Sequence, residues 1–194
     1  MEKENLAEQM MHTLSHHHFS VEARSLLDLY TSTIKSHWAE YRVAEAGNDW
    51  KEAITILERF ESIEDEGALR ESREKRASIH KDHTREYEKA IELFRKLADP
   101  PKTLWEIQEC YRRAGKTQQA HDTLSEIAGS FPDDAARAVY TRAEYYREDG
   151  EHKLAVSLYR QILMRFKDSS QSSSAHQRLE DYGVESGGGV IDPL

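Results

Sequence analysis

A single cysteine, four prolines, nine glycines and no long apolar run set the first limits on this chain of 194 residues. One thiol, Cys110, excludes an internal disulfide and any cysteine-rich zinc site, because each needs at least two thiolates. So few prolines and glycines, with 32 % charged residues, leave little material for the frequent turns of an all-β fold and match solvated, punctuated helices. The start, Met1-Glu2-Lys3-Glu4, never reaches a continuous apolar stretch. Neither a secretory leader nor a membrane span is therefore expected, which places the chain as written in the cytoplasm, or in the periplasm had a leader been removed.

A basic stripe is also missing. Lys and Arg number 27 against 36 Asp and Glu, a formal charge of −9, and the two signs alternate along most segments. A general nucleic-acid binder draws most of its affinity from phosphate neutralisation, so nucleic acid is not an expected partner. The most basic stretch, Arg70 to Lys81, is interrupted by Glu71 and Glu74 and reads as a solvated helix face.

What is present is a repeat. Shifting the chain by 35 residues sets Glu109 on Glu144, Tyr111 on Tyr146, Arg112 on Arg147, Gly115 on Gly150, Ala120 on Ala155, Ile127 on Ile162 and Phe131 on Phe166. Within the unit, Leu104, Ile107, Tyr111 and Ala114 recur at helical spacing, and so do Ala120, Leu124 and Ile127 after the glycine. That predicts two amphipathic helices joined at Gly115, with Gly150 marking the same turn one period later. Ala120 and Ala155 are small where the paired helices approach each other most closely. Phe131-Pro132-Asp133 and Phe166-Lys167-Asp168 end the second helix of each unit.

The pattern Leu104, Tyr111, Gly115, Ala120, Leu124, Pro132 resembles the tetratricopeptide repeat (TPR). With its phenylalanine-and-aspartate ending, the second copy is similar to units of bacterial outer-membrane-assembly and Tol-Pal-associated repeat proteins. The resemblance covers Lys102 to Asp168. It implies an all-α fold, a right-handed superhelical stack of antiparallel helix hairpins with terminal capping helices. Two positions depart from the pattern: Gln108 stands where the first helix usually carries a small residue, as Ala143 does, and Lys167 replaces the proline.

Upstream, Trp50 to Leu57 and Tyr87 to Phe94 carry the second-helix pattern with alanines at 53 and 90. His37 to Gly47 is the expected first helix of the earliest unit, with Gly47-Asn48 as its turn. The segment from Ala68 to His83 lacks a turn glycine and is read as able to run on into the helix that follows. Residues 20–45 are free of proline and glycine and permit one long helix capped by Ser20, while Glu4 to His16 spaces apolar residues as a capping segment. Ser174 to Tyr182, closed by Gly183, is the expected polar terminal helix. The organisation read from this is a cap or flexible segment over 1–19, a repeat domain of about four hairpins over 20–183, and a disordered tail over 184–194.

Histidines cluster at positions 12, 16, 17 and 18, but no nearby Asp, Glu or Cys completes a ligand set, so no metal site is assigned there or at His80 and His83. No nucleophile motif or phosphate-cradling loop is present. A non-catalytic chain without cofactors, binding a peptide or partner helix in the concave groove of the stack, is the resulting expectation. The alternatives are a self-associating assembly subunit and, behind it, a metal-binding protein that uses the histidine cluster at 12, 16, 17 and 18. Trp105, Glu109, Arg112 and Arg113, repeated as Tyr140, Glu144 and Arg147, form the candidate flank of the groove, with Trp38 and Arg42 as its counterpart in the first unit. Aromatic and arginine side chains are what binding hot spots favour. A second reading stays open: Trp105 and Trp38 pack on a neighbouring hairpin while Glu109 and Arg112 form a pair along one helix. Some TPR proteins clamp a peptide carboxylate with lysine and asparagine, but Glu109 and Glu144 occupy the asparagine positions, which disfavours that ligand.

Overall fold

The computed structural model describes residues 33–184. The long-helix reading over residues 20–32, the Glu4 to His16 cap, the histidine cluster and the glycine-rich tail lie outside them. Every regular element among the described residues is helical, and they divide into two compact units, one ending at Ala98 and the other beginning at Asp99.

In the first unit, α1 (Thr33–Ala46) pairs with α2 (Trp50–Glu58), which tightens into a 3-10 turn over Arg59–Ser62. Helix α3 (Glu66–Ile79) pairs with α4 (Tyr87–Leu97). Aspartates open two of these helices: Asp49 accepts the Glu52 N–H at 3.0 Å and Asp65 the Ala68 N–H at 2.7 Å, each satisfying a donor that the first turn leaves unpaired. Tyr41, Ala53, Ile56, Leu57, Phe60 and Ile79 close the core.

Three helix ends in this unit close on a left-handed residue that is not glycine, the last of them Ala98 after α4 at φ 48°. At the first turn Asn48, not Gly47, takes the left-handed conformation, with φ 56°, which asparagine tolerates better than most residues. After α3 the chain does not run on. The helix loosens into a single π turn over His80–Thr84, and Arg85 turns left-handed at φ 57°. A side-chain cluster stands in for glycine: Glu86 accepts from the Thr84 hydroxyl at 3.0 Å and lies 2.9 Å from His80 Nδ1, while its own N–H returns to the His80 carbonyl at 2.9 Å.

The second unit comprises α5 (Lys102–Arg113), α6 (Thr117–Ser130), α7 (Pro132–Glu148), α8 (His152–Arg165) and α9 (Ser170–Asp181). Its three glycine turns follow one template. Gly115, Gly150 and Gly183 have φ of 72°, 81° and 67°. The residue after each glycine donates back five positions: Lys116 to Tyr111 at 2.9 Å, Glu151 to Tyr146 at 2.8 Å and Val184 to Leu179 at 2.9 Å. These are helix ends closed by a left-handed residue that only glycine enters without strain. Pro132 fills the first position of α7, where its missing N–H costs nothing, and Asp133 and Asp134 complement the positive helix end.

Packing follows the repeat. Ala53, Ala90, Ala120 and Ala155 are all fully buried, so the small residue of each second helix sits at the closest approach of its hairpin. Val139, Ala143, Tyr159, Ile162, Ala175 and Leu179 form one cluster that draws in α9. The terminal helix therefore covers the end of the unit through Ala175 and Leu179 while the rest of it stays polar.

Candidate functional site

Helices α5 and α7 are the first helices of successive hairpins, the terminal helix α9 follows in the same position, and polar contacts join each to the next. Trp105 on α5 donates its indole N–H to Asp134 of α7 at 3.0 Å, and the Arg137 guanidinium lies 4.1 Å from its ring centre. Gln108 is buried and accepts from the Tyr145 hydroxyl at 2.9 Å. This explains the departure at that position: a polar side chain fills the space of the usual small residue and uses it for a hydrogen bond to the next hairpin.

Arg112 reaches further along the same seam. Its guanidinium bonds Asp149 at 2.8 and 2.9 Å and Glu148 at 3.1 Å, and covers the Tyr145 ring at 4.6 Å. Glu109 pairs instead with Arg113 one turn along α5. The helical pair expected between Glu109 and Arg112 is thus not the one formed, because Asp149 and Glu148 offer Arg112 a forked partner that a single helix turn cannot.

One period later the network tightens. Glu144 accepts from Arg147 at 2.8 Å, from Arg178 of α9 at 3.0 Å and from the hydroxyl of fully buried Tyr159. Burial pushes the Glu144 carboxyl up, but the bonds from Tyr159, Arg147 and Arg178 together outweigh it and hold the group below the ordinary carboxylate value. Burial, then the bond to Glu144, pushes the Tyr159 hydroxyl well above the tyrosine range. Tyr140 lies tilted against the Tyr159 ring at 5.8 Å.

In the first unit Trp38 packs within its own hairpin, 4.5 Å from the Phe60 ring and 5.8 Å from Tyr41. Arg42 is half-buried on the same helix. The nominated residues of the second unit therefore share a face, and each has a share of its side chain committed to the fold. Sequence periodicity names that face but not Asp134, Arg137, Tyr145, Asp149 and Arg178, which complete it. A signal for Arg178 exists, since it stands one period after Ala143 as Ala143 does after Gln108.

Behind this face sits His121, fully buried on α6, stacked on Tyr146 at 3.9 Å and 13° and edge-on to Tyr145 at 6.3 Å. Among the described residues neither of its ring nitrogens meets a hydrogen-bond partner. Burial, and then Arg142, lower its pKa; Asp149 and Asp122 raise it and Arg112 lowers it further. The unfolded imidazole takes up its proton near 6.5 and the folded one only at lower pH. The contribution of neutral His121 is therefore intact above pH 6.5 and falls as pH drops below it, by at most about 1.4 kcal/mol per pH unit for one proton. His121→Phe keeps the stack without the charge. It is expected to lose less of its urea midpoint between about pH 7.5 and 5.5 than the parent does, and equal losses would assign the acid sensitivity elsewhere.

No described helix is long and apolar enough to cross a membrane, and among the described residues no group of three or more His, Cys, Asp or Glu is placed to hold a metal ion. No protein-family model and no curated protein matches the sequence. Solved structures do. A Podosopora anserina protein described as a putative kinesin light chain with nearly identical TPR-like repeats aligns with a TM-score of 0.55 at 15 % identity, over 87 % of this chain and 100 % of that one. A single-substitution variant of that protein gives 0.55 at 13 %, over 93 % and 99 %. At such identity the likeness is one of fold: the chain is an all-α protein of TPR-like helix hairpins.

Proposed function

We propose that the chain is a non-catalytic scaffold that binds a protein partner across the first-helix face of its second unit. The observation that supports this is the ordered charge on that face: Glu109 with Arg113, Arg112 with Glu148 and Asp149, and Glu144 with Arg147 and Arg178. Side chains already fixed by their neighbours lose little freedom on binding, so a partner meets a preorganised pattern of both signs beside the half-buried Trp105 and Tyr140. The ending of the second copy, Phe166-Lys167-Asp168, resembles that of bacterial outer-membrane-assembly and Tol-Pal-associated repeats, which makes an assembly complex the first place to seek that partner.

Arg112 and Trp105 are poor residues to mutate for a test, because each also joins α5 to α7. Glu109 and Arg113 pair within one helix, so Glu109→Arg/Arg113→Glu keeps a pair while inverting the charge order. Affinity capture with parent and exchanged chains, read by quantitative mass spectrometry, is expected to show the specific partner reduced about tenfold, the effect of misplacing one or two interfacial charges. Identical partner lists would sink the assignment of this face.

A further inference from the structure

The first unit carries a different feature, a cleft of about 420 Å³ between α1, the start of α2 and α3. We propose that it binds lysine or arginine side chains of a basic peptide. The proposal shares with the scaffold reading only that the occupant is a protein segment, and it concerns other residues.

Charge comes first. Glu45, Glu71, Glu74 and Asp82 line the cleft together with His83 and the Lys75 ammonium, and Lys81, outside the lining, pairs with Asp82 at 3.7 Å. Such walls repel phosphates and anionic lipid, and they raise the local concentration of cations. Aromatic surface comes second: Tyr41 and Trp50 line the same space, with Trp50 stacked flat on His83 at 3.6 Å and 11°. The third observation joins these two. The Lys75 ammonium lies over the Tyr41 ring at 5.4 Å and within 4.0 Å of Glu71, so the cleft already holds one cation between an aromatic face and a carboxylate. An incoming guanidinium or ammonium meets the same chemistry beside it.

The layout favours a chain segment over a lone ion. Residues 71, 74, 75, 78 and 82 follow one another along α3 and the turn after it, a stretch of about 16 Å at about 1.5 Å per residue. That is the length of about five extended residues, with side chains alternating toward and away from the wall. The carboxylates are strung along this path, not gathered about one point, which suits successive basic side chains and not a metal.

The test is fluorescence anisotropy of a dye-labelled peptide of alternating arginine and serine, titrated with the full chain, beside its glutamate-serine counterpart. The arginine peptide is expected to bind and the glutamate peptide not to. Glu71→Gln/Glu74→Gln should weaken binding about tenfold. Lys75→Ala should tighten it several-fold by removing the resident cation, a gain that a misfolded chain does not give. As a charge-matched control, Glu126→Gln/Asp133→Asn in the second unit should leave affinity unchanged. Equal weakening by that control, no response to Glu71→Gln/Glu74→Gln, or no binding of the arginine peptide overturns the proposal. The Glu109→Arg/Arg113→Glu chain should bind the peptide as the parent does, so failure of the second-unit face and failure of this cleft are read separately.

Discussion

Glu144→Ala is expected to lower the stability of the second unit by about 2 to 4 kcal/mol, read as a fall of about 1 to 2 M in the urea midpoint. Little of that is the value of a salt bridge. Arg147 and Arg178 each keep about a third of their side chains in solvent, and exposed pairs contribute little. The cost comes from what the alanine leaves behind. The Tyr159 hydroxyl is fully buried and its acceptor is Glu144, so it loses its bond without gaining water. Glu144→Gln retains an acceptor and should cost less than half as much; equal losses would show that charge, not the orphaned hydroxyl, governs the site. Acid has the same target. The folded Glu144 carboxyl titrates below its ordinary 4.5, so its contribution is complete above that pH and is lost as pH falls through the folded value.

That cluster also shows where the sequence is legible. Gly115, Gly150 and Gly183 can be read as turns because a left-handed closing residue almost requires glycine, and residue type then reports backbone conformation directly. Ala120 and Ala155 are legible for a similar reason, since one position tolerates only a small side chain. Asn48 and Arg85 perform the same closing task without glycine, and the Arg85 turn relies on a contact set, His80 with Thr84 and Glu86, that no propensity encodes. The Ala68 to His83 segment reads as continuous in sequence for that reason.

The candidate face divides along the same line. Helical periodicity places Trp105, Arg112 and Glu144 on one side of their helices. It is silent on which residue some 35 positions away completes each of them, since that depends on how one hairpin leans on the next. Once Asp134, Asp149 and Arg178 are in place, the aromatic and arginine pattern that suggests a binding hot spot also serves as mortar between hairpins. Both roles draw on the same property, a side chain with broad contact area and directional donors. A variant that tests binding must therefore spare the seam, which a change at Arg112 does not.

Ala155→Leu, the second large effect, is expected to lower stability by about 2 to 3 kcal/mol, at the upper end for overpacking. Ala155 has no exposed surface and belongs to the cluster of Val139, Ala143, Tyr159 and Ile162, so three added carbons have no route to solvent. Relief requires α8 to move away from α7, and that motion would drag Tyr159 off Glu144 and loosen α9, which is held by Ala175, Leu179 and Arg178. Two hairpin-level contacts therefore fail together. Urea unfolding of Ala155→Leu, Glu144→Ala and the double variant reads this coupling: the double variant should lose less than the sum of the two single losses, since the leucine has already spoiled the bond that the alanine removes. Strict additivity would mean that the packing of α7 on α8 and the polar cluster are independent, and that the repeat is held by separate contacts instead of one seam.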